Sequence, residues 1–229
     1  MKASSRIGTV SGIGIFVHWT FWVMLVALFG WYLYQGASIV AAVMGIALVL
    51  AVFGCVILHE LGHSMAARRY GIPTLDITMY PIGGIARLQR IPRNPKQELV
   101  IALAGPAVNL AIAALLALLG AAGGTADSLA VVLSGQGGLI EMLMWVNLTL
   151  VGFNMIPAFP MDGGRVFRAL LATQIDYRRA THIASLVGIV MAIGMMIYGA
   201  VTMNIAMPFV ALFVMFAGRQ EVAYVMETT

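Results

Sequence analysis

Residues 39–70 read IVAAVMGIALVLAVFGCVILHELGHSMAARRY, an uninterrupted apolar stretch that runs into His59-Glu60-Leu61-Gly62-His63 before it meets Arg68 and Arg69. As one helix at 1.5 Å per residue it is about 48 Å long, more than the roughly 30 Å hydrocarbon core of a bilayer. The sequence therefore predicts a membrane-spanning helix whose far end carries three ionisable side chains. If Arg68 marks the cytoplasmic interface, His59 lies about 13 Å inside it.

The rest of the chain follows the same pattern. Of its 229 residues 61% are hydrophobic and 10% charged, where soluble domains carry about 25% charged residues. That deficit excludes an ordinary soluble globule. No Asp, Glu, Lys or Arg occurs from Ile7 to His59, from Leu99 to Ala126, from Met142 to Met161, or from Ala180 to Gly218. A span needs about 20 helical residues, so the second and third runs hold one span each and the first and last must fold back. Gln35-Gly36-Ala37-Ser38 supplies one turn and the stretch around Thr202 to Pro208 the other. The expectation is an all-α integral membrane protein of six transmembrane helices, read as one core domain over residues 1–229. The start is too long an apolar stretch, with no cleavage site, to be a secretory signal peptide.

With the N-terminus in the cytoplasm, all 13 basic residues fall on the cytoplasmic side, as the positive-inside rule requires. Lys2 and Arg6 lie at the start, six more lie from Arg68 to Lys96, four lie from Arg165 to Arg179, and Arg219 follows the last span. The net charge of +4 thus tracks membrane topology and gives no reason to expect a nucleic-acid partner. The outer loop from Gly120 to Gly138 is rich in Gly and Ala and too plain for an extracytoplasmic domain. Between spans two and three, Leu75-Asp76-Ile77-Thr78-Met79-Tyr80 alternates apolar with polar and Pro81-Ile82-Gly83-Gly84-Ile85 follows. This reads as a small membrane-associated β segment or re-entrant hairpin.

Ionisable residues within a span are costly and point to function. On a helix His59 and His63 project from one face, so both imidazoles can hold one metal ion, and Glu60 beside the first ligand can act as general base toward water. The plainer reading, two histidines packed in a helix interface, leaves the cost of three ionisable groups unexplained. A tetrahedral zinc site that keeps one position for water needs a third protein ligand. Asp162 meets that need: it lies at matching depth in span four, just before Arg165. Pro157 and Pro160 unwind the chain ahead of it, and Gly163-Gly164 gives a tight turn behind it. Its plainer reading is a carboxylate paired with Arg165.

HELGH on one membrane helix and Asn154-x-x-Pro157-x-x-Pro160-x-Asp162-Gly163-Gly164 on another resemble the site-2 proteases, zinc metalloproteases that cut peptide bonds within membrane segments. The resemblance extends to the span order, to Pro81-Ile82-Gly83-Gly84, and to the stretch from Gly12 to His18. It implies one zinc per chain on His59, His63 and Asp162, Glu60 as base, and Asn154 near the substrate carbonyl. It further implies a substrate that is a single-span protein, such as a membrane-bound transcription factor or anti-sigma factor. Relatives carry CBS or PDZ modules, and neither is expected within these residues.

Two other classes compete. Glu60-Leu61-Gly62-His63 is also an E-x-x-H, the repeat of di-iron bundles, but Glu98, Glu141, Glu221 and Glu227 are not followed by a histidine three residues on. A metal transporter would spread acidic or Met ligands over several spans. Cys55 reads as a small packing residue, His18 as a buried hydrogen-bonding group, and His182 as an interfacial one. The series Met191, Met195, Met196 and Met203 reads as flexible packing, with a substrate gate as the alternative.

Overall fold

The computed structural model describes residues 4–90, 92–123 and 138–228. Most of the outer loop expected from Gly120 to Gly138, and Lys2, fall outside them. The elements are β1 (Ser4–Val10), β2 (Ile13–His18), α1 (Trp19–Tyr34), α2 (Ile39–Arg69), β3 (Thr74–Tyr80), β4 (Gly83–Leu88), α3 (Pro95–Ala122), α4 (Leu139–Asn154), α5 (Asp162–Leu171), α6 (Tyr177–Val201) and α7 (Ala206–Thr228).

Among the described residues, α2, α3, α6 and α7 are long and apolar enough to cross a membrane. The remaining apolar helices, α1 and α4, have 16 residues each, or about 24 Å of helix, less than the roughly 30 Å core. Both expected turns are present. Gly36, at φ +80°, ends the α1 connection, and the Ser38 hydroxyl caps α2 by accepting from the Ala41 amide at 3.2 Å. The chain breaks again between Val201 and Ala206.

The N-terminal stretch corrects the sequence reading. The charge-free run from Ile7 was expected to enter the first span directly, and strands were expected only between spans two and three. Instead residues 4–18 form a β-hairpin, turning on Ser11 and Gly12, which both have positive φ as a two-residue type I′ connection needs. Ile13, Ile15 and Val17 are buried and alternate with less buried neighbours. An apolar run without charges looks the same whether it is heading into lipid or packing a sheet. β2 then pairs in parallel with β3, and β3 antiparallel with β4, giving a four-stranded sheet in the order β1-β2-β3-β4.

The chain divides into two compact units, Met1–Arg90 with Ala107–Leu150, and Ile91–Pro106 with Val151–Thr229. In the first, the sheet and α1 pack on α2 through Ile13, Val17, Phe21, Leu25, Leu61, Ile77 and Met79. Burial on α2 is concentrated in its C-terminal half, from Cys55 to Ala67, while Val40, Val43, Met44 and Leu50 are exposed. The half that reaches the sheet is thus the half that carries the motif. In the second unit Ala158, Met161, Ala192, Ala211 and Val214 form the apolar core.

The sheet holds one buried charge. Asp76 on β3 accepts two bonds from Arg87 on β4, Nε to Oδ1 at 2.8 Å and Nη2 to Oδ2, and this pairing holds the carboxyl below its ordinary value of 3.8. A carboxyl lowered on folding stabilises the fold above its ordinary value and loses that contribution as pH falls through the lowered one. Asp76→Asn is therefore expected to cost about 1 kcal/mol at pH 7, because half-exposed Arg87 is partly screened by water. Thermal unfolding in detergent should show the gap to wild type narrowing only below pH 3.8.

Candidate metal centre

On α2, one turn of helix brings His59 and His63 to the same side, as their spacing of four predicts. Both side chains are buried, at 6% exposure each. Their Nε2 atoms are 3.0 Å apart and the rings stand nearly perpendicular, at 81°. Two nitrogens each about 2.05 Å from a tetrahedral metal are separated by about 3.4 Å, so this pair is close to a ligand edge. The other nitrogen of His59, Nδ1, donates to Asn109 Oδ1 at 2.7 Å. A metal-binding imidazole commonly uses its second nitrogen in this way.

Asn109, on α3, is fully buried and continues inward: its Nδ2 donates to Asn147 Oδ1 at 3.0 Å. Asn147, on α4 and also fully buried, donates from Nδ2 to Leu143 O at 2.8 Å and approaches Cys55 Sγ at 3.4 Å. The sequence reading missed both asparagines. Both lie inside charge-free runs and carry no charge themselves, although an amide is the next most expensive group to bury there.

Asp162 is the first residue of α5 and is 7% exposed. The residues ahead of it, from Met155 to Met161, lie outside any regular helix, as Pro157 and Pro160 predict. Gly163 and Gly164 do not form the expected tight turn; they are the second and third residues of α5. A Cβ on Gly163 would collide with the backbone of Met155 and Ile156, and one on Gly164 would lie 2.7 Å from Ala158 C. Absent side chains let the first turn of α5 pack directly on the irregular segment, which fixes where Asp162 sits. His59 and His63 are buried in the first unit and Asp162 is buried in the second. Two imidazoles and a carboxylate are a donor set suited to zinc.

Glu60 is half-buried and follows His59 on α2. A Cβ on Gly84 of β4 would lie 2.8 Å from its Cγ, so the strand backbone rests against this side chain. Asn154 is the last residue of α4 and half-buried. His18 caps α1, its Nδ1 bonded to Thr20 Oγ1 at 2.7 Å, and stacks on Tyr80, while His182 is exposed on α6. Cys55 is buried and packs beside Asn147.

A sequence model of peptidase family M50 matches residues 47–133 and 124–195. A zinc metalloprotease of Methanocaldococcus jannaschii is 39% identical over 221 residues, covering 96% of this chain and 61% of that protein. Rip3 of Mycobacterium tuberculosis is 30% identical over 243 residues, covering 96% of this chain and 59% of that protein. The chain thus spans about three fifths of the length of these relatives. The solved structure of the site-2 protease from M. jannaschii superposes with a TM-score of 0.68 at 39% identity, over 96% of this chain and 95% of the other.

Proposed function

Because the chain belongs to peptidase family M50, the site-2 proteases, we propose that it is an intramembrane zinc endopeptidase cutting a peptide bond in or near the span of a single-span membrane protein. The observation that carries this reading is the buried pair of His59 and His63 on one side of α2, with Glu60 adjoining the first of them on the same helix. With Asp162 as the third ligand, these residues would hold one zinc. Bound there, zinc supplies a Lewis acid that polarises the scissile carbonyl and brings the pKa of its water to about 7. Glu60 takes the proton of the attacking water and returns it to the departing amine. Asn154 donates from its side-chain amide to the carbonyl oxygen as negative charge builds there.

A helical substrate hides its carbonyls in its own hydrogen bonds, so it must unwind before it is cut. The stretch from Leu75 to Ile85 offers an edge for it. Within that stretch β3 is interior and β4 is an edge of the sheet, with Gly84 against Glu60. The unwound segment adds to β4 as an extended strand. All six apolar helices cross the bilayer, α1 and α4 with help from the segments flanking them. Both termini face the cytoplasm, with the ligands sunk toward that side, in keeping with the thirteen basic residues.

Reconstituted wild type and His59→Ala, each with candidate single-span substrates, test this reading. Wild type is expected to carry one zinc and cut within the span, and His59→Ala to do neither. Two irons per chain, or metal flux across the vesicle without proteolysis, would reject it in favour of a di-iron enzyme or a transporter.

A further inference from the structure

The buried hydrogen bonds running from α4 through α3 to α2 have a direction, and that direction is set by one backbone carbonyl. Leu143 O can only accept, so the atom of Asn147 facing it at 2.8 Å is Nδ2, and Asn147 must turn Oδ1 the other way. Asn109 answers that oxygen with Nδ2 at 3.0 Å, which turns its own Oδ1 toward His59. Facing an oxygen at 2.7 Å, His59 Nδ1 must carry its proton. A neutral imidazole carries only one, so Nε2 is left with its lone pair. Inverting Asn147 would set its Oδ1 against Leu143 O and its Nδ2 against Asn109 Nδ2, and inverting Asn109 would set its Oδ1 against Asn147 Oδ1. Both asparagines are fully buried, so bulk solvent does not compensate such an inversion. Cys55 Sγ, 3.4 Å from Asn147 Nδ2, is a weak second acceptor for the same amide.

We propose that Asn109 and Asn147 are positioning residues that fix the tautomer and ring orientation of His59, so that Nε2 faces the metal. This rests on the metal reading above and assigns two residues to it. Asn109 acts directly on His59; Asn147 acts through Asn109 by denying it the inverted orientation. The donor order is Asn147 to Leu143 O, Asn109 to Asn147, and His59 to Asn109.

Zinc affinity of the full chain in detergent, measured by competition with a chelator, reads this without any proteolysis assay. Asn109→Leu, close in size but unable to accept, is expected to weaken zinc by about 10- to 100-fold, the usual effect of losing the partner of a ligating histidine. Asn109→Asp, which still accepts from Nδ1, should stay within a few fold of wild type, and Asn147→Leu should fall between them. Nitrogen-15 spectra of histidine-labelled wild type, with the His59 signal assigned by its absence in His59→Ala, give a second reading that needs no folded asparagine variant. The zinc-free protein should show His59 protonated at Nδ1 and bare at Nε2. Wild-type zinc affinity in Asn109→Leu, or an Nε2-protonated His59 in wild type, would overturn the proposal. A wild type that binds zinc through His59 and cuts nothing would remove the protease reading alone, and one that binds no zinc would remove the metal reading and this proposal together.

Discussion

Glu60→Gln is expected to abolish cleavage while leaving one zinc in place. Glutamine keeps the length and shape of the side chain, so it can still lie between α2 and Gly84 of β4. It cannot take a proton. Loss of a general base lowers rates by about 10²–10⁴, which puts residual cleavage below most assays in vesicles. Both histidines and Asp162 are untouched, so metal analysis should give the wild-type content, and this separates a lost base from a lost ligand. Glu60→Asp is the informative companion. It retains the carboxylate but withdraws it by one methylene, and a displacement on the order of 1 Å at a reacting group costs about a hundredfold. Cleavage by purified, reconstituted Glu60→Gln at anything near the wild-type rate would remove Glu60 from the chemistry.

The candidate site was legible in the sequence because its parts are expensive. His59, Glu60, His63 and Asp162 lie at the ends of runs that hold no Asp, Glu, Lys or Arg, and the spacing of four along α2 already places the histidines on one side. Groups that cost less were missed. Asn109 and Asn147 carry no charge, so they lay inside stretches counted only as spans, although each is completely buried and bonded. The N-terminal hairpin was illegible for a related reason. From Ile7 to His18 an apolar residue serves a strand as well as a helix, and only Ser11-Gly12 signals the turn. Gly163-Gly164 was correctly singled out but given the wrong task. The pair permits close backbone packing within α5 where a turn had been expected, and distinguishing those needs the contact partner, which a sequence does not name.

Arg168 shows the same gap most sharply and leads to the largest expected effect on stability. Counted among the basic residues it looks like a marker of the cytoplasmic boundary, yet it has no exposed surface at all. Its Nε donates to Glu98 Oε1 at 2.9 Å, Nη2 donates to the same oxygen, and Nη1 donates to Glu221 Oε1 at 2.6 Å. The guanidinium also lies 4.9 Å from the ring centre of Phe159 and 5.0 Å from that of Tyr177. One side chain on α5 therefore ties the start of α3, the end of α7, the start of α6 and the irregular segment that leads to Asp162. Arg168→Ala leaves the Glu98 carboxylate, itself 2% exposed, buried without its cation, and breaking one side of a buried pair costs about 3–5 kcal/mol. At a few degrees per kcal/mol for a domain of this size, the melting temperature should fall by about 10 °C. Arg168→Lys keeps a charge but loses the forked geometry and the stacking, so it should fall between. The double variant Arg168→Ala with Glu98→Gln isolates the cause, since a neutral amide is cheaper to bury than an orphaned carboxylate. It should recover part of the lost stability, and an unchanged or deeper loss would show that packing against Phe159 and Tyr177, and not charge, is what Arg168 contributes.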